Sequence, residues 1–385
     1  MVNLCIGTLW PICFLFALFK IWINCGGYVN LKIMIKVAIN GFGRIGRQAF
    51  KVWLEKHKDE MQVVAVNDLA DAKVLAHLLK YDSVYGTSSR KIEAQLLVND
   101  LKNVPDGQQV GKITVDGVEV ATYATKEPSG LPWKDLGIDV VIESTGRFTK
   151  LEEASKHIAA GAKKVVISAP GRETPTYILG VNENKYIGED VINNASCTTN
   201  CVSPIASVLN HRYGVKKAMM TTVHAVTAEQ NIVDGPPPGG KVNDLRRARA
   251  AYTNIIPTTT GAAIATTEAI PELRGKFDGV ALRVPVIVGS ISDLTFLLGK
   301  KVTVSDVNNT LTDAARALEG ILAVSNEPLV SSDIIGRPES AIVDLSLTQV
   351  VDGDMVKVFA WYDNEYGYSN RLIEQVIEVG KSITS

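Results

Sequence analysis

The sequence predicts an α/β fold in two parts, a doubly wound parallel sheet followed by an α+β domain with a mixed or antiparallel sheet. Short apolar segments alternate with helical patterns from Met34 to about residue 196, which is typical of βαβ units. Longer strand-like runs dominate the part after residue 197. The chain has 385 residues, 46% of them hydrophobic and 21% charged, which agrees with two domains of average globular composition.

The first half alternates between strand and helix candidates. Predicted strands lie at 35–40, 63–66, 140–142 and 165–167. Predicted helices lie near 47–57 and at 151–160. A hairpin is expected over 113–123, because the turn pair Asp116-Gly117 separates two alternating runs. In such a sheet, ligands bind at the carboxyl ends of the strands.

The second half contains longer runs of strand-forming residues and ends in an amphipathic helix. Predicted strands lie at 217–226, 279–288, 292–298 and 355–362. The expected helix covers 369–383, and a long loop is expected at 234–240. We place one domain at 34–196, a second at 197–364, and a C-terminal helix, 365–385, that packs back on the first domain.

Residues 1–33 form an apolar extension unlike the rest. The run 4–23 carries a single charge, Lys20, and about 20 apolar residues can span a bilayer. The features of a secretory signal are incomplete, since no Lys or Arg precedes the run and 24–27 is a poor cleavage site. We favour translation that begins at Met34, with a membrane anchor as the alternative interpretation.

Charge and cysteine content exclude several classes of protein. Lys and Arg number 40 against 41 Asp and Glu, so bulk electrostatic binding to nucleic acid or an anionic membrane is not expected. Five cysteines do not make a disulfide framework in a chain this long. Three of them lie in the first 25 residues, which leaves Cys197 and Cys201 in the body.

A glycine loop follows the first predicted strand. Gly41, Gly43 and Gly46 fit the pattern G-x-G-x-x-G between a strand and a helix. Glycines there allow a pyrophosphate to approach the helix N-terminus closely. Asp68 ends the second strand, where a carboxylate accepts hydrogen bonds from the adenosine ribose and repels a 2′-phosphate. These features predict a Rossmann-type domain that binds NAD in preference to NADP.

Cys197 stands directly before an apolar helical pattern. The dipole of a helix N-terminus is expected to lower the pKa of a thiol there and to favour the thiolate. Cys201 falls one turn deeper, and two buried cysteines or a metal pair are alternatives, but no further ligand follows at metal-binding spacing. His224 ends a strand 27 residues later and is suited to take the thiol proton, with a structural histidine as the alternative.

From Met34 onward the chain resembles phosphorylating glyceraldehyde-3-phosphate dehydrogenases. The resemblance rests on six runs in the family's order: Ile39-Asn-Gly-Phe-Gly-Arg-Ile-Gly-Arg47, Glu143-Ser-Thr-Gly146, Ala195-Ser-Cys-Thr-Thr-Asn-Cys201, Leu245-Arg-Arg-Ala-Arg-Ala-Ala251, Ile256-Pro-Thr-Thr-Thr-Gly-Ala-Ala263 and Trp361-Tyr-Asp-Asn-Glu-Tyr-Gly-Tyr-Ser-Asn370. The cysteine run is the most specific of them.

The resemblance implies a glycolytic enzyme that uses NAD and inorganic phosphate to convert D-glyceraldehyde 3-phosphate into 1,3-bisphosphoglycerate. Cys197 would form a hemithioacetal and then a thioester, with His224 as the base. Implied cofactor contacts are Gly41, Gly43, Arg44, Ile45, Gly46, Asp68, Lys126, Ser168 and Asn364. Implied contacts to the substrate and to phosphate are Ser196, Thr198, Thr227, Arg247, Thr260, Gly261 and Arg283. A cytoplasmic homotetramer without a bound metal or nucleic acid is also implied.

Two alternatives and several departures accompany this interpretation. A relative that oxidises erythrose 4-phosphate would share the cysteine, histidine and glycine loop. A non-catalytic paralogue that uses the basic run 246–249 to bind a partner or RNA would be free to lose Cys197 or His224, and both are present. Ala228-Glu229 stands where the family usually has Asn-Asp, and the loop over 236–240 is longer than usual.

Overall fold

The computed structural model describes residues 34–237 and 244–383. The chain divides into two compact units, Met1–Met34 and Ile35–Ser385, and the elements below belong to the second. Both interpretations of residues 1–33 lie outside the described residues, as does the end of the loop over 234–240. Within the described ranges, no helix combines the length and apolar character needed to cross a membrane.

The described residues form the strands and α-helices given below, which alternate through the first half of the chain. The strands are β1 (Ile35–Asn40), β2 (Met61–Asn67), β3 (Tyr81–Asp82), β4 (Gly86–Thr87), β5 (Ile92–Leu96), β6 (Gln109–Val115), β7 (Val118–Tyr123), β8 (Val140–Glu143), β9 (Lys164–Ile167), β10 (Val191–Asn193), β11 (Val215–His224), β12 (Ile256–Thr259), β13 (Phe277–Arg283), β14 (Ser290–Leu298), β15 (Leu322–Ser325), β16 (Ala341–Val351) and β17 (Met355–Tyr362). The α-helices are α1 (Arg44–Lys56), α2 (Ala72–Lys80), α3 (Trp133–Leu136), α4 (Leu151–Ala154), α5 (Lys156–Ala159), α6 (Cys197–Tyr213), α7 (Ala262–Ala269), α8 (Val304–Ala317) and α9 (Tyr366–Lys381).

The first sheet has the strand order β10-β9-β8-β1-β2-β7-β6-β5. Strands from β10 to β7 pair in parallel, and β6 and β5 continue the sheet in antiparallel fashion. Val37 and Ile39 of β1 point into one buried cluster and Ala38 into another, so both faces of the sheet are covered. The predicted doubly wound sheet and its hairpin are confirmed, with an antiparallel edge that a purely parallel sheet would lack.

The second sheet is mixed, as predicted, with the order β12-β13-β11-β14-β17-β16-β15. β11 and β13 pair in parallel, as do β15 and β16, and the other pairs are antiparallel. Helices α6, α7 and α8 pack on one face and bury the largest apolar cluster of the described chain. The opposite face presents Met219, which is 62% exposed, and Val280, which is 49% exposed.

Several predicted boundaries are wrong, and three of them change how the chain is described. The first helix begins at Arg44 rather than near residue 47, so the glycine loop runs directly into its first turn. The helix expected over 151–160 is two short helices, because the Ser155 hydroxyl donates to the Leu151 carbonyl and bends the chain. The strand expected over 279–288 ends at Arg283, since Pro285 has no N–H to donate and a tight turn follows.

Helix α9 returns to the first sheet after the last strand of the second. Its buried side chains include Tyr368, Leu372 and Val376, which share a cluster with Phe50 and Trp53 of α1. The Tyr368 hydroxyl donates to the Ala195 carbonyl at 3.0 Å, directly before helix α6. The C-terminal helix therefore contacts the segment that leads into Cys197.

Candidate active site

Cys197 is the first residue of helix α6, as the sequence predicts. Ser196 caps the helix, because its hydroxyl accepts a hydrogen bond from the Thr199 amide at 3.1 Å. Cys201 lies one turn deeper and is fully buried, with its sulfur 3.8 Å from the Ala360 carbonyl oxygen. Burial raises the pKa of Cys201, and this thiol is closed to solvent whereas Cys197 is partly exposed, so Cys197 is the reactive candidate.

His224 ends strand β11 and faces the thiol. Its Nε2 lies 3.4 Å from the Cys197 sulfur, so the structure brings the two predicted residues together. In the parallel pairing of β11 with β13, His224 stands opposite Arg283. Two residues that are 59 positions apart in the sequence thus become neighbours through the register of one strand pair.

The environment of His224 favours the neutral imidazole. Burial, reinforced by the charge of Arg283, lowers the pKa of His224 to about 3. The Nδ1 atom lies 2.6 Å from the Ala225 carbonyl oxygen and 2.6 Å from Nη1 of Arg283. When Nδ1 carries the proton and donates it to Ala225, the lone pair of Nε2 faces the thiol and can accept its proton.

The pKa of Cys197 departs from the prediction made from the helix terminus. Burial raises the pKa of this thiol, although the charge of Arg283 and hydrogen bonds at the start of α6 act in the lowering direction. The predicted lowering is therefore wrong, because desolvation of the thiolate outweighs the groups that stabilise it. Both shifts favour the uncharged forms of the pair, a thiol beside an imidazole.

Three residues predicted to contact phosphate surround one carboxylate oxygen. Oε1 of Glu229 accepts from Nη1 of Arg247 at 3.1 Å, from Nη2 of Arg283 at 3.4 Å and from the Thr227 hydroxyl at 3.4 Å. Arg247 comes from a short 3₁₀-helix, Leu245–Ala248, and its Nε donates to the Thr258 hydroxyl at 2.8 Å. The structure thus brings these three donors together around one carboxylate, and Glu229 is a member of the cluster that sequence reasoning missed.

Thr260 and Gly261 lie beside this cluster, whereas the Thr198 hydroxyl has another partner. Nη2 of Arg247 donates to the carbonyl of the residue before Thr260 at 3.2 Å. A Cβ built on Gly261 would meet no atom within 4 Å, so the space over this residue is open. The Thr198 hydroxyl is buried and lies 2.9 Å from the Tyr362 hydroxyl.

The glycine loop has the backbone that its sequence requires. Gly41 has a φ of 92°, and a Cβ there would lie 2.7 Å from the Ser144 carbonyl carbon. Gly41, Gly43, Asp68 and Lys126 line one cleft of about 630 Å³ at the carboxyl ends of the parallel strands. This is the position at which a doubly wound sheet binds a nucleotide.

The cleft fits the adenosine half of a dinucleotide. Oδ2 of Asp68 accepts from the Phe42 amide at 2.8 Å and Oδ1 accepts from the Ala70 amide at 3.1 Å. A carboxylate has about four lone-pair sites, so acceptor capacity remains for ribose hydroxyls. The side chain of Arg44 points elsewhere, because it pairs with Asp82 and Glu365 and lines a different cleft.

The remaining predicted cofactor contacts lie at strand ends and in the first helix. Ser168 directly follows β9, and its amide donates to the Glu143 carbonyl at 2.9 Å. Asn364 follows β17 and accepts from the Ser290 hydroxyl at 2.9 Å, and Ser290 in turn accepts from the amide next to His224. Ile45 packs against the core of the first sheet, and Gly46 is buried in the first turn of α1.

Tyr362 is a second site residue that sequence reasoning missed. Its hydroxyl lies 2.7 Å from the Thr222 hydroxyl as well as against Thr198, and its ring stands edge-on to the imidazole of His224 at 6.1 Å. Tyr362 thereby joins the start of α6 to the strand that carries the base. The signal was available, since this tyrosine belongs to the quoted run 361–370 and ends a strand with alternating burial.

Comparison with known proteins places this arrangement in a family. The profile described as "Glyceraldehyde 3-phosphate dehydrogenase, NAD binding domain" matches residues 35–151, and the profile described as "Glyceraldehyde 3-phosphate dehydrogenase, C-terminal domain" matches residues 196–364. The glyceraldehyde-3-phosphate dehydrogenase of Geobacillus stearothermophilus is 51% identical over 344 residues, which cover 88% of this chain and 96% of that protein.

Two further relatives agree. Glyceraldehyde-3-phosphate dehydrogenase 2 of Streptomyces avermitilis is 48% identical over 353 residues, with 91% of this chain and 99% of that protein covered. The glyceraldehyde-3-phosphate dehydrogenase of Mycolicibacterium smegmatis is 49% identical over 356 residues, with 91% of this chain and 99% of that protein covered. With both profiles matched and relatives this similar over most of its length, the chain belongs to the glyceraldehyde-3-phosphate dehydrogenase family.

Proposed function

We propose that this chain catalyses the NAD-dependent oxidative phosphorylation of D-glyceraldehyde 3-phosphate to 1,3-bisphosphoglycerate. The observation that carries the proposal is the 3.4 Å contact between the Cys197 sulfur and Nε2 of His224, beside Arg283. The names of the relatives support the same substrate. They do not favour the erythrose 4-phosphate alternative, and retention of both Cys197 and His224 disfavours a non-catalytic paralogue.

His224 activates the nucleophile. With its Nδ1 proton donated to the Ala225 carbonyl, the neutral imidazole accepts the thiol proton at Nε2 while the sulfur of Cys197 bonds to the aldehyde carbon. Burial raises the pKa of the thiol, so the sulfur depends on His224 to take its proton when it attacks the aldehyde. The product is a hemithioacetal on Cys197.

The imidazolium then stabilises charge on the former aldehyde oxygen. After proton transfer, Nε2 of His224 is a donor, and the amide of Cys197 at the start of helix α6 is a second one. When bound, NAD supplies the acceptor for the hydride that leaves the hemithioacetal carbon, so that a thioester remains on Cys197. The cleft lined by Gly41, Gly43 and Asp68 is where we place its adenosine half.

Two phosphate-bearing groups must be held for the second half of the reaction, in which inorganic phosphate attacks the thioester. Arg247 and Arg283 provide guanidinium donors, and the Thr227 hydroxyl contacts the same carboxylate oxygen of Glu229 as they do. We assign the open space over Gly261, at the start of helix α7, to the same region together with Ser196, Thr198 and Thr260.

We further propose a cytoplasmic homotetramer. The uncovered face of the second sheet presents Met219, Val280, Val351 and Met355, all between 49% and 62% exposed, and burial against another copy would remove this apolar surface from water. A reducing compartment suits an enzyme whose nucleophile is a free thiol. Sedimentation of the purified protein tests the assembly.

The proposed reaction is tested by following NADH formation from D-glyceraldehyde 3-phosphate and NAD. Steady turnover should require inorganic phosphate, because the thioester otherwise accumulates on the enzyme after one turnover. Erythrose 4-phosphate, tested in the same assay, should be the poorer substrate. Phosphate-independent steady turnover, or a preference for erythrose 4-phosphate, would contradict the proposal.

A further inference from the structure

We propose that Glu229 is the resident anion of the phosphate-binding cluster and that it sets the affinity of this cluster for phosphate. One oxygen, Oε1, contacts Thr227, Arg247 and Arg283, which are three of the residues assigned to phosphate. A phosphate oxygen would use the same donors. This inference rests on the proposed function, because that function assigns the three donors to phosphate.

The contacts of the two arginines make Glu229 their counter-ion. Arg247 is held otherwise by the hydroxyl of Thr258 and the carbonyl of Thr259. Arg283 donates to the carbonyl of Ala225 at 3.1 Å, and its Nη1 lies 2.6 Å from Nδ1 of His224. Among the described residues, Glu229 is the carboxylate that forms an ion pair with either guanidinium.

Charge makes the carboxylate and phosphate competitors. The two guanidinium groups and Glu229 together carry one positive charge, whereas the guanidinium groups alone carry two. A phosphate dianion that enters while Glu229 stays would leave the cluster with excess negative charge. Like charges at contact distance repel strongly where the surroundings are partly desolvated, and Arg283 is only 14% exposed. Binding of phosphate therefore requires Glu229 to leave.

The side chain of Glu229 is free to leave while its backbone stays. The carboxylate side chain is 50% exposed, so rotation carries it into water. The turn that holds it is fixed by Gln230, whose buried side chain accepts from the Thr227 amide at 3.1 Å and whose amide donates to the Thr227 carbonyl at 2.9 Å. Phosphate affinity is thus reduced by the free energy of the ion pairs that must first be broken.

The test compares Glu229→Gln and Glu229→Asp with the unmodified enzyme. In Glu229→Gln the charge is lost at nearly constant shape, so the KM of inorganic phosphate or of glyceraldehyde 3-phosphate should fall about two- to fivefold, the effect expected for half-exposed ion pairs. Glu229→Asp keeps the charge on a side chain that is one methylene shorter. The KM of the same substrate should fall less in this variant than in Glu229→Gln. Glu327→Gln is the matched control, because Glu327 is an exposed carboxylate beyond β15, at the opposite edge of the sheet from β12 and β13.

A second measurement needs no turnover. Inorganic phosphate should slow the alkylation of Cys197 by the uncharged reagent iodoacetamide, and the half-effective phosphate concentration should fall by the same factor in Glu229→Gln. An unchanged or higher value, with unchanged KM values for both substrates, would overturn the role of Glu229. Absence of phosphate-dependent NADH formation in the unmodified enzyme would overturn the proposed function instead, and the alkylation comparison would still decide the role of Glu229.

Discussion

The cofactor cleft and the thiol site are built from the sequence in different ways. The cleft comes from one contiguous stretch, in which β1, the glycine loop, α1 and β2 follow one another and end at Asp68. The thiol site joins Cys197, His224, Arg247 and Arg283 from separate elements of the second half. The first region is specified by local backbone geometry, whereas the second depends on the pairing of distant strands.

The difference extends to electrostatics. The Asp68 carboxylate accepts hydrogen bonds from backbone amides of its own βαβ unit, those of Phe42 and Ala70. Its position in the cleft therefore follows from its distance along the sequence from the glycine loop. The charge states of Cys197 and His224 depend on burial and on Arg283, which no local pattern contains. A motif therefore predicts which residues form the thiol site but not their protonation states. Substitutions at the thiol site are therefore expected to have larger effects than a substitution in the cleft.

Replacing Cys197 by Ser should have the largest effect. A hydroxyl is far less acidic than a thiol, so turnover should fall roughly 10⁴-fold or more, while NAD still binds because the cleft is separate. NADH formation and quenching of protein fluorescence by NAD measure the two properties. Cys201→Ser is the control and should retain turnover, since this thiol contacts only the core. Substantial activity in Cys197→Ser would remove the covalent mechanism.

Replacing His224 by Asn should lower turnover by roughly 10²–10⁴-fold, the usual contribution of a general base. The remaining activity should rise with pH up to and beyond pH 9, because an unaided thiol must ionise and burial raises its pKa. In the unmodified enzyme the pKa of His224 is lowered to about 3, so the imidazole is available as a base at neutral pH. Turnover of the unmodified enzyme should therefore reach its plateau at a lower pH than turnover of His224→Asn. His211→Asn, an exposed histidine on α6, is the control. Identical pH profiles for His224→Asn and the unmodified enzyme would contradict the role as base.

The parts of the fold that could be predicted are those with an uninterrupted local signal. The bounds of β1 and β17 are as expected, since β1 is a short and largely apolar run and burial alternates along β17 to its end. β16 was not identified, because Asp344 is buried in its middle, where its carboxylate accepts from the Ser346 hydroxyl and hides the alternation. Burial of a charged residue depends on a partner, and that partner is not visible as a hydrophobic period.

The site shows the same limit. The start of α6 was predictable because Ser196 is a strong helix cap directly before Cys197. The contact between His224 and Arg283 could not be predicted, because Arg283 reaches His224 only through the register of β11 with β13. Glu229 was noted as a departure from the family, but its contacts depend on where Arg247 and Arg283 meet.

Replacing Arg283 by Ala should raise the KM of glyceraldehyde 3-phosphate or of phosphate by roughly 10–100-fold, since hydrogen bonds to a charged group contribute about 1.5–3 kcal/mol. Lys should restore only part of the affinity, because an ammonium group cannot donate to Ala225 and to an anion with the same fork. Initial rates at varied concentrations of each substrate give both constants. Arg316→Ala, at a 77% exposed arginine on α8, is the control. Unchanged constants for both substrates would place Arg283 outside the anion site.

The smallest effect is expected at the cleft, from Asp68. Its carboxylate should favour NAD by accepting ribose hydrogen bonds and by repelling the 2′-phosphate of NADP, so Asp68→Gly should narrow the preference for NAD by about tenfold. Since the same carboxylate holds the amides of Phe42 and Ala70, Asp68→Asn is needed beside it: the amide oxygen keeps one acceptor while the charge is lost. The ratio of kcat/KM for NAD to that for NADP measures the change. If charge repulsion sets the preference for NAD, both variants gain activity with NADP. If the shape of the loop sets it, the ratio changes only in Asp68→Gly. Equal efficiency of the unmodified enzyme with NAD and NADP would contradict the role of Asp68 altogether.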